Sequence, residues 1–348
     1  MIYIFGWATI YFAFVLQKVS KYKGRFFALI VLFIFAMTAF MRGSIGTDTP
    51  NYEQMFLGFA NDYSWNGQEP GFVLLGWLFV NISPSFEIAV RLISVMFFIL
   101  LTVFLLKSNS NERYLLLFYL LPVFAYSYSM NGLRAGLAFG FILLAVQLLR
   151  LEKKGTALTL GMVALTFHYS ALLPLLYLAL SYRKWLSISN LAWAGLLIFI
   201  SSAILIIAQD YFLDKLFAYS MYETPSGLSG FSILIPSMVL LFGVMLSKLP
   251  AAVKWKLIVL ASVFYILAVI LTQYSYAGLR ILDLLAYAFP LAVLLAYSNN
   301  GMQFDRVFLF ALFASGIVSI AATYYRFMSE YGVGLAPWLP YVTWFDFN

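Results

Sequence analysis

The 348 residues include no cysteine, which excludes disulfides, thiolate nucleophiles and cysteine-bound metals. Histidine occurs once, at His168, so a His-rich metal centre is excluded as well. Charge is scarce: Asp, Glu, Lys and Arg make up 10% of the chain, against roughly a quarter in an ordinary soluble domain. What fills the space is apolar, with 64% hydrophobic residues and 19% aromatic and a mean hydropathy of +0.92. Too little polar surface remains to cover a water-soluble globule, and disorder and collagen are excluded by the same numbers. The formal charge of +7 does not mark a nucleic-acid binder. Its basic residues fall in pairs and triplets between apolar runs, which is a membrane-topology signal.

A spanning helix needs about 20 apolar residues. The chain therefore reads as an all-α, polytopic integral membrane bundle of about 10–12 transmembrane helices, one membrane domain over 1–348. Spans are expected near 2–17, 26–41, 87–106, 114–129, 133–150, 188–208, 231–247, 257–272, 279–297 and 307–325. No charge precedes the first apolar stretch, and the basic cluster Lys18, Lys21, Lys23 and Arg25 follows it. That is the pattern of a retained span with its N-terminus outside, not of a cleaved signal. Two segments fit poorly as single spans. Residues 70–83 are too short, and 156–182 carry His168 at the middle and Pro174 as a break in the second half. Both are expected to be re-entrant or hairpin pieces on the outer side, tolerated where they line a cavity.

Positive charge tests that choice. If both segments return to the side they left, 15 of the 21 basic residues are cytoplasmic, and only Arg42, Arg134, Lys215, Arg280 and Arg326 lie outside. Ten of the eleven lysines are inside, whereas four of the five outer basic residues are arginine. Topology needs charge alone; a guanidinium also offers a planar fork for phosphate or carboxylate. The alternative for each arginine is a snorkelling side chain or a structural ion pair. The longer polar stretches, the loops 42–69 and 209–229 and the C-terminal segment 326–348, are all assigned outside. So are nine of the 14 acidic residues. The chemistry is expected at the outer face, with both termini on that side.

Five groups of residues there carry possible chemistry. Arg42 runs into a Gly/Asp/Pro-rich turn with Asp48 and Tyr52 close behind, which suits either an anion cradle or a local Arg–Asp pair. Glu69 precedes Pro70 at the expected start of a short helix, where the helix dipole favours a carboxylate in any case. In N-G-L-R-A-G-L-A, Asn131 is the expected N-cap of the helix through Arg150, with Arg134 in the first turn. The dipole disfavours a cation there, so an anionic partner is implied: a ligand phosphate, or a carboxylate such as Asp48 or Glu69. His168 and Ser170 stand in H-Y-S-A-L, where the lone histidine is a general base, a donor to phosphate, or a core hydrogen-bonder. Arg280 with Asp283 opens a late span, either as a site or as an i,i+3 ion pair, and Arg326 ends the last one. No D-x-D, HExxH or Walker pattern is present, so neither a metal nor another cofactor is expected.

In order, R-G-S-I-G-T-D-T-P-N-Y, E-P-G-F, N-G-L-R-A-G-L-A, H-Y-S-A-L, a late span opening with Arg280, and a C-terminal part with Arg326, Pro340 and Tyr341 make the chain resemble the EpsG-like, Wzy-type polysaccharide polymerases of bacterial envelopes. One departure is Ala135, where the family usually has glutamine after the central arginine. The resemblance implies a metal-independent glycosyltransferase of the bacterial plasma membrane. It would act on undecaprenyl-diphosphate-linked oligosaccharides at the outer face, moving the growing chain onto the next lipid-linked repeat. His168, Arg134 and Arg42 would be catalytic, and Asp48, Tyr52, Glu69, Asn131, Ser170, Arg280, Asp283 and Arg326 would bind substrate. A chain-length regulator is common in such pathways, and the bilayer itself is the other partner. A lipid-linked oligosaccharide flippase or secondary transporter also fits many spans with buried arginines, although no inverted repeat is visible. A membrane O-acyltransferase would use the histidine but leave the arginines without a purpose.

Overall fold

The computed structural model describes residues 1–19, 25–61, 67–182 and 230–347, with 206–211 and a few other positions between 195 and 217. The expected span at 188–208 and the loop 209–229 lie largely outside these. Among the described residues everything regular is helical, apart from one antiparallel bridge between Arg42 and Thr343. Five helices among the described residues are long and apolar enough to cross a membrane: α5 (Phe86–Leu106), α8 (Leu133–Arg150), α12 (Ala251–Thr272), α13 (Tyr276–Asn299) and α14 (Arg306–Ser329). Shorter apolar helices accompany them: α1 (Ile2–Val19), α2 (Arg25–Phe40), α4 (Pro70–Ile82), α9 (Lys154–Phe167), α10 (Leu172–Tyr182) and α11 (Phe231–Leu246). The protein is an all-α, multi-pass membrane bundle. α3 (Thr49–Asn61) is the one amphipathic exception, polar enough to lie at an end of the bundle.

Loops sort to the two ends of the bundle as the charge count requires. At the lysine-rich end, Arg25 donates to the Ser108 carbonyl (3.0 Å), Arg150 to Glu112 (2.8 Å) and Lys256 to the Ser181 carbonyl (2.8 Å). The Asp305 carboxylate accepts from the Lys248 backbone (2.8 Å) at the same end. The opposite end gathers residues 42–49, 67–69, 85–91, 128–134, 168–171 and 338–344. Only the second irregular segment is a hairpin. The first is a single helix, α4, which begins just after Glu69 at the polar end; the chain beyond it is beside Arg42 again by Arg91, whose Nε donates to the Arg42 carbonyl (2.7 Å). α9 and α10 run from the lysine-rich end to His168 and return to Ser181. Pro174 does not break this hairpin: it occupies the first turn of α10, where a missing N–H has no helical partner to lose. The break is the short 3-10 turn Tyr169–Ala171 after His168.

Between Ser110 and Asn131 one long element alternates α6 (Ser110–Leu115), a π turn (Leu116–Leu120), α7 (Leu121–Tyr126) and a second π turn (Ser127–Asn131). Pro122 cannot donate to the Phe118 carbonyl, so the register slips and Leu121 donates to Leu116 instead. Gly316 of α14 presses against that freed carbonyl so closely that any Cβ would collide with it. Below the second π turn, Phe124, Tyr128, Phe139 and Tyr287 form a ring cluster with centroids 4.9–6.3 Å apart. α13 runs buried through the centre for most of its length. This packing closes the middle of the bundle beneath the polar end.

Candidate functional site

Glu69 organises the polar end. It is the N-cap residue of α4, yet its side chain makes no capping bond to that helix. Its two oxygens face other elements: Oε2 accepts from Arg134 Nη1 of α8 at 2.8 Å, and Oε1 lies 3.1 Å from His168 Nδ1. Tyr211 accepts a second bond from Arg134 Nη1 (3.0 Å) and lies 3.5 Å from both carboxylate oxygens. The carboxylate is 1% exposed, while Arg134 and His168 keep 18% and 20%. Burial alone would raise its carboxyl pKa. The hydrogen bond from His168 and the charge of Arg134 more than offset that and hold it at about 2, so Glu69 is ionised at any physiological pH.

Local sequence explains the approach of these three residues. Gly71, two residues after Glu69, lets α4 close onto Thr166 in the last turn of α9, where a Cβ would collide with the threonine side chain. The E-P-G-F motif is thus a carboxylate, a helix-starting proline and the glycine that brings α4 against the helix bearing His168. Arg134 is held in turn by aromatic faces, its Cζ lying 6.0 Å from the Tyr52 ring centroid and 5.9 Å from that of Phe72. Its anionic partner, left open between ligand and protein by the sequence, is Glu69.

The dyad faces a cavity of about 450 Å³ whose walls include Asp48, Tyr52, Glu69, Arg134, His168, Ser170, Arg280 and Asp283. Eight of the eleven expected site residues therefore share one chamber. A second cavity of about 220 Å³ adjoins it through a common wall of Tyr128, Gly132, Arg280 and Asp283, and holds Asn131, Arg326 and Glu330. Arg280 and Asp283 thus face both chambers, and among the described residues no ion pair joins one to the other.

Two expectations need correction. Arg42 does not reach either chamber. It is fully buried, and its Nη1 donates to the Ala39 carbonyl (2.9 Å), Ser94 Oγ (2.7 Å) and the Ser129 carbonyl (2.9 Å). A cation at the carbonyl end of α2 complements the helix dipole, so the physical role is to tie α2 to α5 and the second π turn. Asn131 is not the N-cap of α8, because the π turn extends the preceding helix through it and Gly132 becomes the cap residue. Asn131 Oδ1 instead accepts from the Asp48 backbone (2.8 Å) and Thr47 Oγ1 (3.1 Å), fixing the first outer turn against the cavity wall.

Sequence reasoning missed Tyr128, Tyr169 and Tyr211 on the walls of the main chamber. Among 24 tyrosines in a chain this aromatic, none stands out. Only Tyr169, directly after His168, had a positional signal; its hydroxyl donates to the Gln68 carbonyl (3.1 Å) beside Glu69.

A multi-pass helical bundle with Glu69 and His168 paired on the wall of a chamber at one end defines a membrane protein with its buried titratable pair gathered at that end. A family model matches residues 24–343, and the chain belongs to the EpsG family. No curated protein and no solved structure matches it. Membership supports a role in polysaccharide polymerisation generally.

Proposed function

We propose that the protein is a membrane glycosyltransferase that polymerises undecaprenyl-diphosphate-linked oligosaccharide repeats into a surface polysaccharide at the outer face of the bacterial plasma membrane. The observation that carries this reading is the buried Glu69 holding His168 against the chamber. With His168 Nδ1–H donating to Glu69, the tautomer leaves the lone pair on Nε2, the arrangement a general base requires. Nε2 takes the proton of the acceptor sugar hydroxyl as its oxygen attacks the anomeric carbon of the donor chain. The bond from that carbon to the diphosphate breaks, and undecaprenyl diphosphate leaves with the electron pair. Arg280, on the wall common to both chambers, and Arg326 behind it supply guanidinium groups for the leaving diphosphate; one preorganised donor of this kind contributes about 3–4 kcal/mol in well-studied cases.

Arg134 reaches the chamber with its charge already matched by Glu69, so its main task in this mechanism is to keep Glu69 ionised and oriented. The packed ring cluster beneath the chamber favours an enzyme over a transporter, which needs a path through the bundle.

His168→Ala tests the reading. It is expected to lower polymer formation by about 10²–10⁴-fold, the usual contribution of a positioned base, while lipid-linked single repeats accumulate. His168→Gln, which keeps a hydrogen bond without proton transfer, should be equally defective. Near-normal polymer from the Gln variant overturns the base.

A further inference from the structure

A third cavity, of about 360 Å³, lies at the same end of the bundle but on the other side of α3. It is lined by Gly43, Ser44, Glu53, Ser85, Glu87, Ile88, Arg91 and Trp344. None of these residues takes part in the mechanism above. Tyr52 borders the main chamber and the next residue, Glu53, borders this one, so the two cavities press on adjacent positions of a single helix.

Its chemistry differs from that of the main chamber. Among the described residues Arg91 is the only cation on its wall, and it is 3% exposed and already committed: to Glu53 (3.1 Å) and to the carbonyls of Glu87 (2.6 Å), Arg42 (2.7 Å) and Gly43 (3.1 Å). Glu87 has no ion-pair partner among the described residues, which leaves the wall with a net negative charge. A diphosphate would be repelled. What remains is a set of groups suited to hydroxyls: two carboxylates to accept, the hydroxyls of Ser44 and Ser85, and an indole. The Trp344 indole N–H is itself shut away from the cavity, so what Trp344 adds to the wall is its ring, a face on which the apolar side of a sugar can pack. The segment bearing it is fixed in place, because Trp344 N donates to the Met41 carbonyl (3.2 Å) and Gly43 N to the Val342 carbonyl (2.8 Å).

We infer that this cavity is a binding subsite for uncharged sugar residues of the glycan, remote from the bond being made. An oligosaccharide reaching from the main chamber past α3 would place later sugars against Trp344, Glu53 and Glu87. The inference rests on the polymerase reading for the identity of its ligand.

The probe is the lipid-free repeat oligosaccharide released from the producing strain's own polymer, titrated by calorimetry into the full-length protein in nanodiscs. Polymer synthesis from lipid-linked repeats is measured in the same preparations. Glu87→Gln keeps the shape and removes the charge; Trp344→Ala removes the ring. Each should weaken oligosaccharide binding about tenfold, as losing one hydrogen bond to a charged group or one packed ring does, and shorten the polymer. Equal affinity in wild type, Glu87→Gln and Trp344→Ala, or no binding by wild type, overturns the subsite. A wild-type protein that binds the oligosaccharide but makes no polymer overturns the polymerase reading and leaves the subsite standing.

Discussion

Each end of the bundle contains a buried glutamate paired to an arginine at 2.8 Å, and the two pairs do different work. At the lysine-rich end Glu112 is 0% exposed against Arg150 at 20%; at the polar end Glu69 is 1% exposed against Arg134 at 18%. Distances and burial are nearly the same. The remaining partners are not. Glu112 closes a capping box, with Oε2 accepting from the Asn109 backbone (2.7 Å) and Gln147 adding a longer bond (3.3 Å). Its oxygens are consumed in holding helix ends together. Glu69 stands at a helix start without capping it, and its second oxygen meets an imidazole on the wall of a 450 Å³ chamber. A buried ion pair by itself says little about function; what the carboxylate's other oxygen holds is the informative part.

Removing the charge at each end breaks that comparison most directly. Glu69→Gln should lower polymer synthesis at least about 10²-fold, the lower range of a positioned base, because His168 loses its orienting carboxylate. The sign of the pH effect follows from the carboxyl being held near 2. Its stabilising contribution is complete above the unfolded carboxylate pKa, about 4.3, and is lost only as pH falls through about 2. Glu69 therefore contributes no acid limb to the activity profile between pH 5 and 8. An acid limb in that range that disappears in the Gln variant would show that the carboxyl titrates there.

The next effect is at Arg134. Alanine leaves Glu69 buried beside one fewer partner, and breaking a buried pair costs about 3–5 kcal/mol, visible as lost folded protein in membranes. Arg134→Lys keeps the charge and should restore the protein level with part of the polymer. Normal protein with no polymer from the Lys variant would show that the guanidinium also grips the substrate.

Glu112→Gln sharpens the contrast from the other end. Thermal unfolding in detergent should fall to lower temperature, with activity per folded molecule unchanged. Loss of activity beyond loss of folded protein would mean the two ends are coupled. The smallest effect is expected for Ser170→Ala, on the chamber wall, where one neutral hydrogen bond at about 0.5–1 kcal/mol limits the loss to about twofold to fivefold.

Much of this protein was legible one residue at a time. The lysine distribution separated the loops into two sets because charge position is a property of the chain itself, and the structure brings those sets to opposite ends. The hairpin bearing His168 was legible because its length and central histidine made a single span implausible. Arg134 was singled out by a local conflict, a cation in the first turn of a helix, and that conflict implied an anion without saying which. Arg42 misled for the opposite reason. A glycine-rich polar turn beside it looked like a cradle, while the oxygens that occupy its Nη1, the Ala39 and Ser129 carbonyls and Ser94 Oγ, come from three separate elements.

Composition and hydropathy, then, determined by themselves that this chain is a helical membrane bundle. Each span meets its own backbone hydrogen bonds, so the spans can be read locally. Tertiary structure alone decided that Glu69 joins His168, 99 residues away, to Arg134, 65 residues away. It also decided that Asn131 ends a π turn instead of starting a helix, and that α3 has a chamber on each side. Partner choice between distant side chains depends on how helices are stacked, through contacts such as Gly71 on Thr166 and Gly316 on Phe118. No local pattern in a sequence carries that information.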